Sequence, residues 1–228
     1  MRDAVEVPRQ MRQIGPTRRS VSGRVPFQGR LSVPYESSLE RDFILRRTLS
    51  PIIQDIVAQP AEIPFVGTNG RRYIYTPDYL VYYRSETYSW ASGPRPLLVE
   101  VKPREVLRTD WPTLKPKFKA ALRYARERGW DFSIQDESRI RDTVLANVNF
   151  LARYRRMDFD AADSQRICEY LRLRGTVSVD HLLARHFLSF PARAVGVSQL
   201  WHLVATMAIE CDLTLPLRND TLCWMPGS

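Results

Sequence analysis

Tyr75-Thr76-Pro77-Asp78-Tyr79-Leu80-Val81-Tyr82-Tyr83, followed beyond a stretch rich in Ser, Gly and Pro by Leu97-Leu98-Val99-Glu100-Val101-Lys102, decides the fold. Both runs are short, rich in Tyr, Leu and Val, and bounded by breakers, which predicts strands over 78–83 and 97–102. Side chains alternate along a strand. Glu100 and Lys102 therefore share one face, and Val99 and Val101 share the other. A strand beginning at Asp78 and pairing nearby brings Asp78, Glu100 and Lys102 to one end of a sheet. Two carboxylates and a lysine suit one task well. The carboxylates hold a hard divalent cation such as Mg²⁺ or Mn²⁺ through oxygen ligands. The cation polarises a phosphodiester and makes a water more acidic, and the lysine positions that water or neutralises charge on the phosphate.

Upstream, Asn69-Gly70 is a hairpin turn signal, with 71–76 reading as a strand and shorter apolar segments at 55–59 and 63–66. A helix is expected from Ser37 to Leu49, with Leu39, Phe43 and Ile44 on its apolar stripe. Glu40 lies on this helix and is a fourth candidate for the site. It also completes a capping box with Ser37, in which it would simply close the helix start; spacing leaves both roles open. Residues 1–34 hold seven Arg with several Pro and Gly and read as a basic extended arm.

Downstream, a helix is expected over 113–128, capped by Gly129, then a strand over 130–135 and a helix over 137–155. The order helix, antiparallel strands, helix, strand, helix indicates an α/β core with a mixed sheet flanked by helices. From about Met157 the pattern turns helical, with helices expected over 163–174, 178–187 and 198–211 and a hairpin over 213–224. Three helices and a terminal hairpin describe a winged helix. The expected organisation is an arm at 1–34, an α/β domain at 35–156 and a winged-helix-like domain at 157–228.

The net charge of +9 over 228 residues fits a polyanionic partner. Residues 158–228 carry six Arg, no Lys and eight acids, a net of −2, so the basic excess lies in the first part. All four lysines, Lys102, Lys115, Lys117 and Lys119, fall within eighteen residues. Lys115, Lys117, Lys119 and Arg123 are expected to track a phosphate backbone, and Gln135 is a candidate to approach the site. Three cysteines and three histidines form no metal spacing, so the cysteines are expected reduced in a cytosolic protein. No apolar run of about 18 residues predicts a membrane span. No phosphate-binding GxxxxGKS, GxGxxG or GxSxG motif is present.

Pro77-Asp78 with Glu100-Val101-Lys102 resembles the PD-(D/E)xK nuclease superfamily, whose members have restriction-endonuclease-like folds. The wider set narrows this. Ser38-Leu39-Glu40-Arg41-Asp42-Phe43, Gln59-Pro60, Tyr75-Thr76-Pro77-Asp78-Tyr79 and Val99-Glu100-Val101-Lys102-Pro103 together resemble the TnsA endonuclease of heteromeric cut-and-paste transposons. The resemblance runs over about 36–156 and, more weakly, into Pro216-Leu217-Arg218-Asn219-Asp220-Thr221. It implies catalytic roles for Glu40, Asp78, Glu100 and Lys102, with Asp78, Glu100, Glu40 and the Val101 carbonyl as ligands to Mg²⁺. Some family members hold glutamine at the Glu100 position. It further implies nicking of the 5′ transposon ends beside a TnsB-like DDE transposase and a TnsC-like AAA+ ATPase, in a bacterial, nucleoid-associated setting. The rival readings are a stand-alone nuclease of the restriction or junction-resolving type, and a non-catalytic DNA-binding adaptor.

Overall fold

The computed structural model describes residues 21–28, 32–84 and 93–227, which form two compact units dividing at Ile140/Arg141. The first unit holds β1 (Gly23–Val25), β2 (Val33–Tyr35), α1 (Ser38–Leu45), β3 (Ile53–Ala58), β4 (Ile63–Val66), β5 (Arg72–Tyr75), β6 (Tyr79–Tyr83), β7 (Leu97–Val101), α2 (Arg104–Thr109), α3 (Trp111–Glu127), β8 (Asp131–Gln135) and α4 (Glu137–Ile140).

A four-stranded mixed sheet in the order β3-β6-β7-β8 forms the centre of this unit. The β3–β6 and β6–β7 pairs are antiparallel, and β7–β8 is parallel. The parallel pair needs a crossover, which α2 and α3 supply. Alternation sends side chains to two cores. Tyr79, Val81, Val99 and Val101 join Phe43 and Ile44 of α1 on one face. Leu80 and Leu98 join Ala120, Ala121 and Ala125 of α3 on the other. Near-complete burial of Phe43, Ile44, Leu80, Leu98 and Ala121 on opposite sides of one sheet makes this a layered α/β core.

Several boundaries differ from the sequence expectation. Within the expected arm, residues 23–25 and 33–34 are not extended alone: they pair antiparallel as parts of β1 and β2, and Val25, Phe27 and Val33 are buried with α1. Three-residue strands are too short for alternation to register, whereas Phe27 at 1% exposure marks a core residue. Residues 1–20 and 29–31 of the expected arm lie outside the described residues. Helix α1 ends at Leu45, with hydrogen-bonded turns continuing to Leu49. The single helix expected over 137–155 is broken. The Asp142 side chain accepts from Leu145 N and starts a new helix, α5 (Thr143–Leu151), so a capping aspartate interrupts what composition alone reads as continuous. This helix belongs to the second unit, which moves the division from the expected 156/157 to 140/141.

The second unit continues with a 3₁₀ turn (Tyr154–Arg156), α6 (Ala161–Arg174), β9 (Val177–Ser178), α7 (Val179–His186), α8 (Phe190–Ala205), β10 (Glu210–Cys211) and β11 (Leu222–Trp224). The three short strands pair in the order β10-β11-β9. Ser178 caps α7 as expected, accepting from His181 N. Helix α8 starts eight residues before its expected start at Ser198, because Ser189 caps it and a proline occupies its first turn. Asn147 of α5 donates to the carbonyls of Leu213 and Leu215 at 2.9 and 2.7 Å, tying down the segment after β10. No helix among the described residues is long and apolar enough to cross a membrane.

Candidate active site

The ends of β6 and β7 converge where the ladder stops. Tyr79 pairs with Val99, the last pair before Pro77, and proline has no N–H to continue the ladder. Asp78 fills the gap: its Oδ2 accepts from the Val101 N–H at 2.7 Å. Its own carbonyl accepts from Gln59 N at 2.8 Å, which fixes the Pro77-Asp78 corner against the end of β3. The Asp78 side chain thus reaches β7 through a hydrogen bond to the Val101 backbone.

Glu100 is 1% exposed, and both its carboxylate oxygens are engaged. Tyr75 Oη donates to Oε2 at 2.6 Å, and Lys117 Nζ donates to Oε1 at 2.9 Å. Lys102 Nζ lies 3.4 Å from the same Oε1. An anion this buried requires such partners. The parity read from the sequence therefore brings Glu100 and Lys102 together, with Asp78 at the adjoining start of β6.

Charge coupling ties the group into one electrostatic unit. Burial pushes the Asp78 carboxyl well above its ordinary range, and the nearby Glu100 and Glu40 carboxylates raise it further; the Val101 N–H and Lys102 only partly offset this. Burial by itself would lower Lys102, but Glu100, Asp78 and Glu40 together hold its ammonium above the ordinary lysine value. Tyr75 is pushed up by burial and by Glu100, so its hydroxyl stays a donor.

Glu40 takes the capping role, and its carboxylate also lies near the site. The capping box forms: Ser37 Oγ accepts from Glu40 N at 3.2 Å and lies 2.8 Å from Glu40 Oε1, while Glu36 N donates to Oε2 at 2.8 Å. Glu40 also faces the site. The Tyr79 hydroxyl lies 3.2 Å from its Oε2, and Glu40 contributes to the fields at Asp78 and Lys102. Phe43, one turn along α1, stacks on Tyr79 at 5.1 Å and sets how the helix meets β6.

The four expected DNA-tracking residues separate. Lys115, Lys119 and Arg123 are exposed on α3. Lys117 is corrected: it turns inward to Glu100 and lies 4.7 Å from the Tyr75 ring and 5.0 Å from the Phe118 ring. The reason is helical phase, since Lys117 is four residues before buried Ala121 and eight before buried Ala125. Lys117 and Tyr75 are the site neighbours that the sequence reading missed. A lysine in register with an alanine stripe is the signal that could have found the first. Gln135 meets the site only through its backbone, its carbonyl accepting from Lys102 N at 3.0 Å; its side chain turns to Ser133. The three cysteines are free thiols. Burial pushes Cys211 and Cys223 up to about 12, which keeps them protonated.

Two family models match the chain: TnsA-like endonuclease N terminal over residues 50–137, and TnsA endonuclease C terminal over residues 139–213. The chain belongs to the TnsA-like endonucleases. The junction between the two matches falls beside the Ile140/Arg141 division, so the first match lies within one compact unit and the second almost wholly within the other. Asp78, Glu100, Lys102, Lys117 and Tyr75 all lie within the TnsA-like N-terminal match, whereas Glu40 precedes it. A comparison of this TnsA-like chain with curated protein sequences found no match.

Among the described residues no three His, Cys, Asp or Glu side chains converge as a ready cage for a metal ion. The donors nevertheless fit a hard dication. Burial, and then the Glu100 and Glu40 carboxylates, raise the Asp78 carboxyl, and Lys102 only partly offsets them, so added positive charge at these strand ends is favoured. Magnesium tolerates a sparse protein ligand set because it keeps several waters.

Proposed function

We propose that this TnsA-like chain is a Mg²⁺-dependent DNA endonuclease that nicks the 5′ ends of a transposon, acting beside a TnsB-like DDE transposase and a TnsC-like AAA+ ATPase. The observation that carries this reading is the convergence of Asp78, before β6, with Glu100 and Lys102, at the end of β7, in a chain of this family. Asp78, Glu100 and the Val101 carbonyl, with Glu40 beside them, would hold the cation. When bound, it supplies polarisation of the phosphodiester and acidification of water.

The chain's own residues do the rest. The Asp78 oxygen on the Val101 N–H locks the two strand ends at a fixed spacing. Tyr75 and Lys117 hold the Glu100 carboxylate in one orientation. Lys102, kept protonated by three carboxylates, presents a positive charge to the developing negative charge on a phosphate. Lys115, Lys119 and Arg123 supply exposed positive charge for the phosphate backbone. The second unit runs helix, strand, helix, helix, strand, strand from α6 to β11, which is the order of a winged helix, and we assign it to partner binding.

The test is strand-specific cleavage of end-containing DNA with the partner proteins present. Asp78→Ala is expected to abolish 5′-end nicking and leave 3′-end cutting by the transposase in place. Normal 5′ nicking by this variant refutes the assignment. Efficient cleavage by the isolated chain in Mg²⁺ favours the stand-alone nuclease instead.

A further inference from the structure

The β4–β5 hairpin stands outside the central sheet and is a two-stranded ribbon of its own. Its register runs from Ile63↔Tyr75 to Val66↔Arg72. Its base is part of the candidate active site, because Tyr75 ends β5 and donates to Glu100. Its four-residue strands carry the tip roughly 15 Å beyond that point.

The tip is well built. Gly67 N donates to the Arg71 carbonyl at 2.9 Å, and Gly70, at φ +74, makes the turn. The Asn69 side chain accepts from Arg71 N and donates to the Tyr73 hydroxyl at 2.8 Å. Tyr73 stacks on its cross-strand partner Phe65 at 5.6 Å and lies where a side chain at Gly67 would clash. This is a stiff element, yet it leaves costly groups in solvent. Ile74 is 68% exposed, Val66 56% and Tyr73 43%, flanked by exposed Arg71 and Arg72. Among the described residues neither arginine forms an ion pair. A groove between the ribbon and α3 is lined by Phe65 and Val66 of β4 and by Pro116, Leu122 and the cations Lys119 and Arg123 of α3.

We infer that the β4–β5 ribbon is a DNA-reading element that enters the major groove beside the scissile phosphodiester. This inference rests on the endonuclease reading above. Three observations select duplex DNA as the occupant. The charge is complementary, with Arg71 and Arg72 on the ribbon and Lys119 and Arg123 alongside. A two-stranded ribbon matches the roughly 12 Å width of the major groove, where arginine pairs with guanine edges and apolar side chains meet thymine methyls. The ribbon is also joined through Tyr75 to the carboxylate that must approach the cut, so its reach sets a fixed offset between bases read and bond broken. The first unit thereby carries a base-reading element of its own.

The experiment uses the full chain with its partner proteins and end-containing DNA. A photocrosslinking residue is placed at Ile74 in an Asp78→Asn background, so that the DNA stays whole. Crosslinks are expected on DNA within about one helical turn of the 5′ cut. Crosslinks confined to a partner protein overturn the inference, as does the absence of any crosslink to DNA. In the second arm, Arg71→Ala with Arg72→Ala is expected to reduce 5′ nicking about tenfold at limiting DNA, with recovery as DNA is raised. Unchanged nicking and an unchanged DNA footprint overturn it as well. Failure of the nuclease reading is seen separately, when a chain with the photocrosslinking residue at Ile74 and Asp78 intact crosslinks to DNA but does not nick it.

Discussion

Replacing Lys117 with methionine tests the architecture around Glu100 directly. Methionine keeps most of the apolar stem against Tyr75 and Phe118 and removes the charge. Removing one partner of a buried ion pair costs about 3–5 kcal/mol when the other charge is left uncompensated. Glu100 would not be left alone, because Tyr75 still donates at 2.6 Å and Lys102 remains at 3.4 Å. The expected cost is therefore lower, about 2–3 kcal/mol, including the lost cation–π contacts. With a urea m-value of about 2 kcal/mol/M, that moves the unfolding midpoint of the first unit by roughly 1 M. The chain has two units, so the transition is assigned by amide exchange on peptides covering 97–102. The decisive form is a double-mutant cycle with Glu100→Gln, in which the coupling should be about 2 kcal/mol. A coupling below about 0.5 kcal/mol, the worth of an exposed pair, would refute the reasoning that Lys117 is the counter-charge of Glu100.

Two further outcomes follow from the geometry. The folded Asp78 carboxyl keeps its proton to higher pH than the unfolded chain does, owing first to burial and then to Glu100 and Glu40. The native state thus binds more protons from about pH 4 up to the raised value, and the stability this contributes is present below that window and lost as pH rises through it. Urea midpoints measured in EDTA between about pH 5 and 8 should fall less steeply for Asp78→Asn than for wild type; parallel slopes would contradict the raised value. In the second unit, Asn147→Leu removes the donor to the Leu213 and Leu215 carbonyls. It should cost about 2–3 kcal/mol and expose residues 211–217 to faster amide exchange, and exchange unaltered there would show that the segment is held by other contacts.

The sequence by itself determined whatever depends on neighbours along the chain. Two-residue alternation put Glu100 and Lys102 on one side of β7, Pro77 ended a ladder, and Ser178 capped α7. These are local steric and hydrogen-bonding rules, and they need no partner from elsewhere. The tertiary structure alone decided which distant groups share an environment. Tyr75 and Lys117 meet Glu100 across 25 and 17 residues of sequence. Whether Lys117 faces DNA or a buried carboxylate depends on the side of α3 that packs on the sheet. Net charge registers its presence but not its direction. Glu40 makes the same point, since its capping role is local and its influence on Asp78 depends on the packing of Leu39, Phe43 and Ile44 of α1 against the sheet. Residues 23–28 and 33–34 were read as arm for the converse reason: strands of three residues carry too little pattern, and the burial of Phe27 is a property of the assembled core. Short-range chemistry therefore sets the elements and the parity of the site, while packing sets its electrostatics, because the cost of burying a charge is decided by groups that only folding brings near.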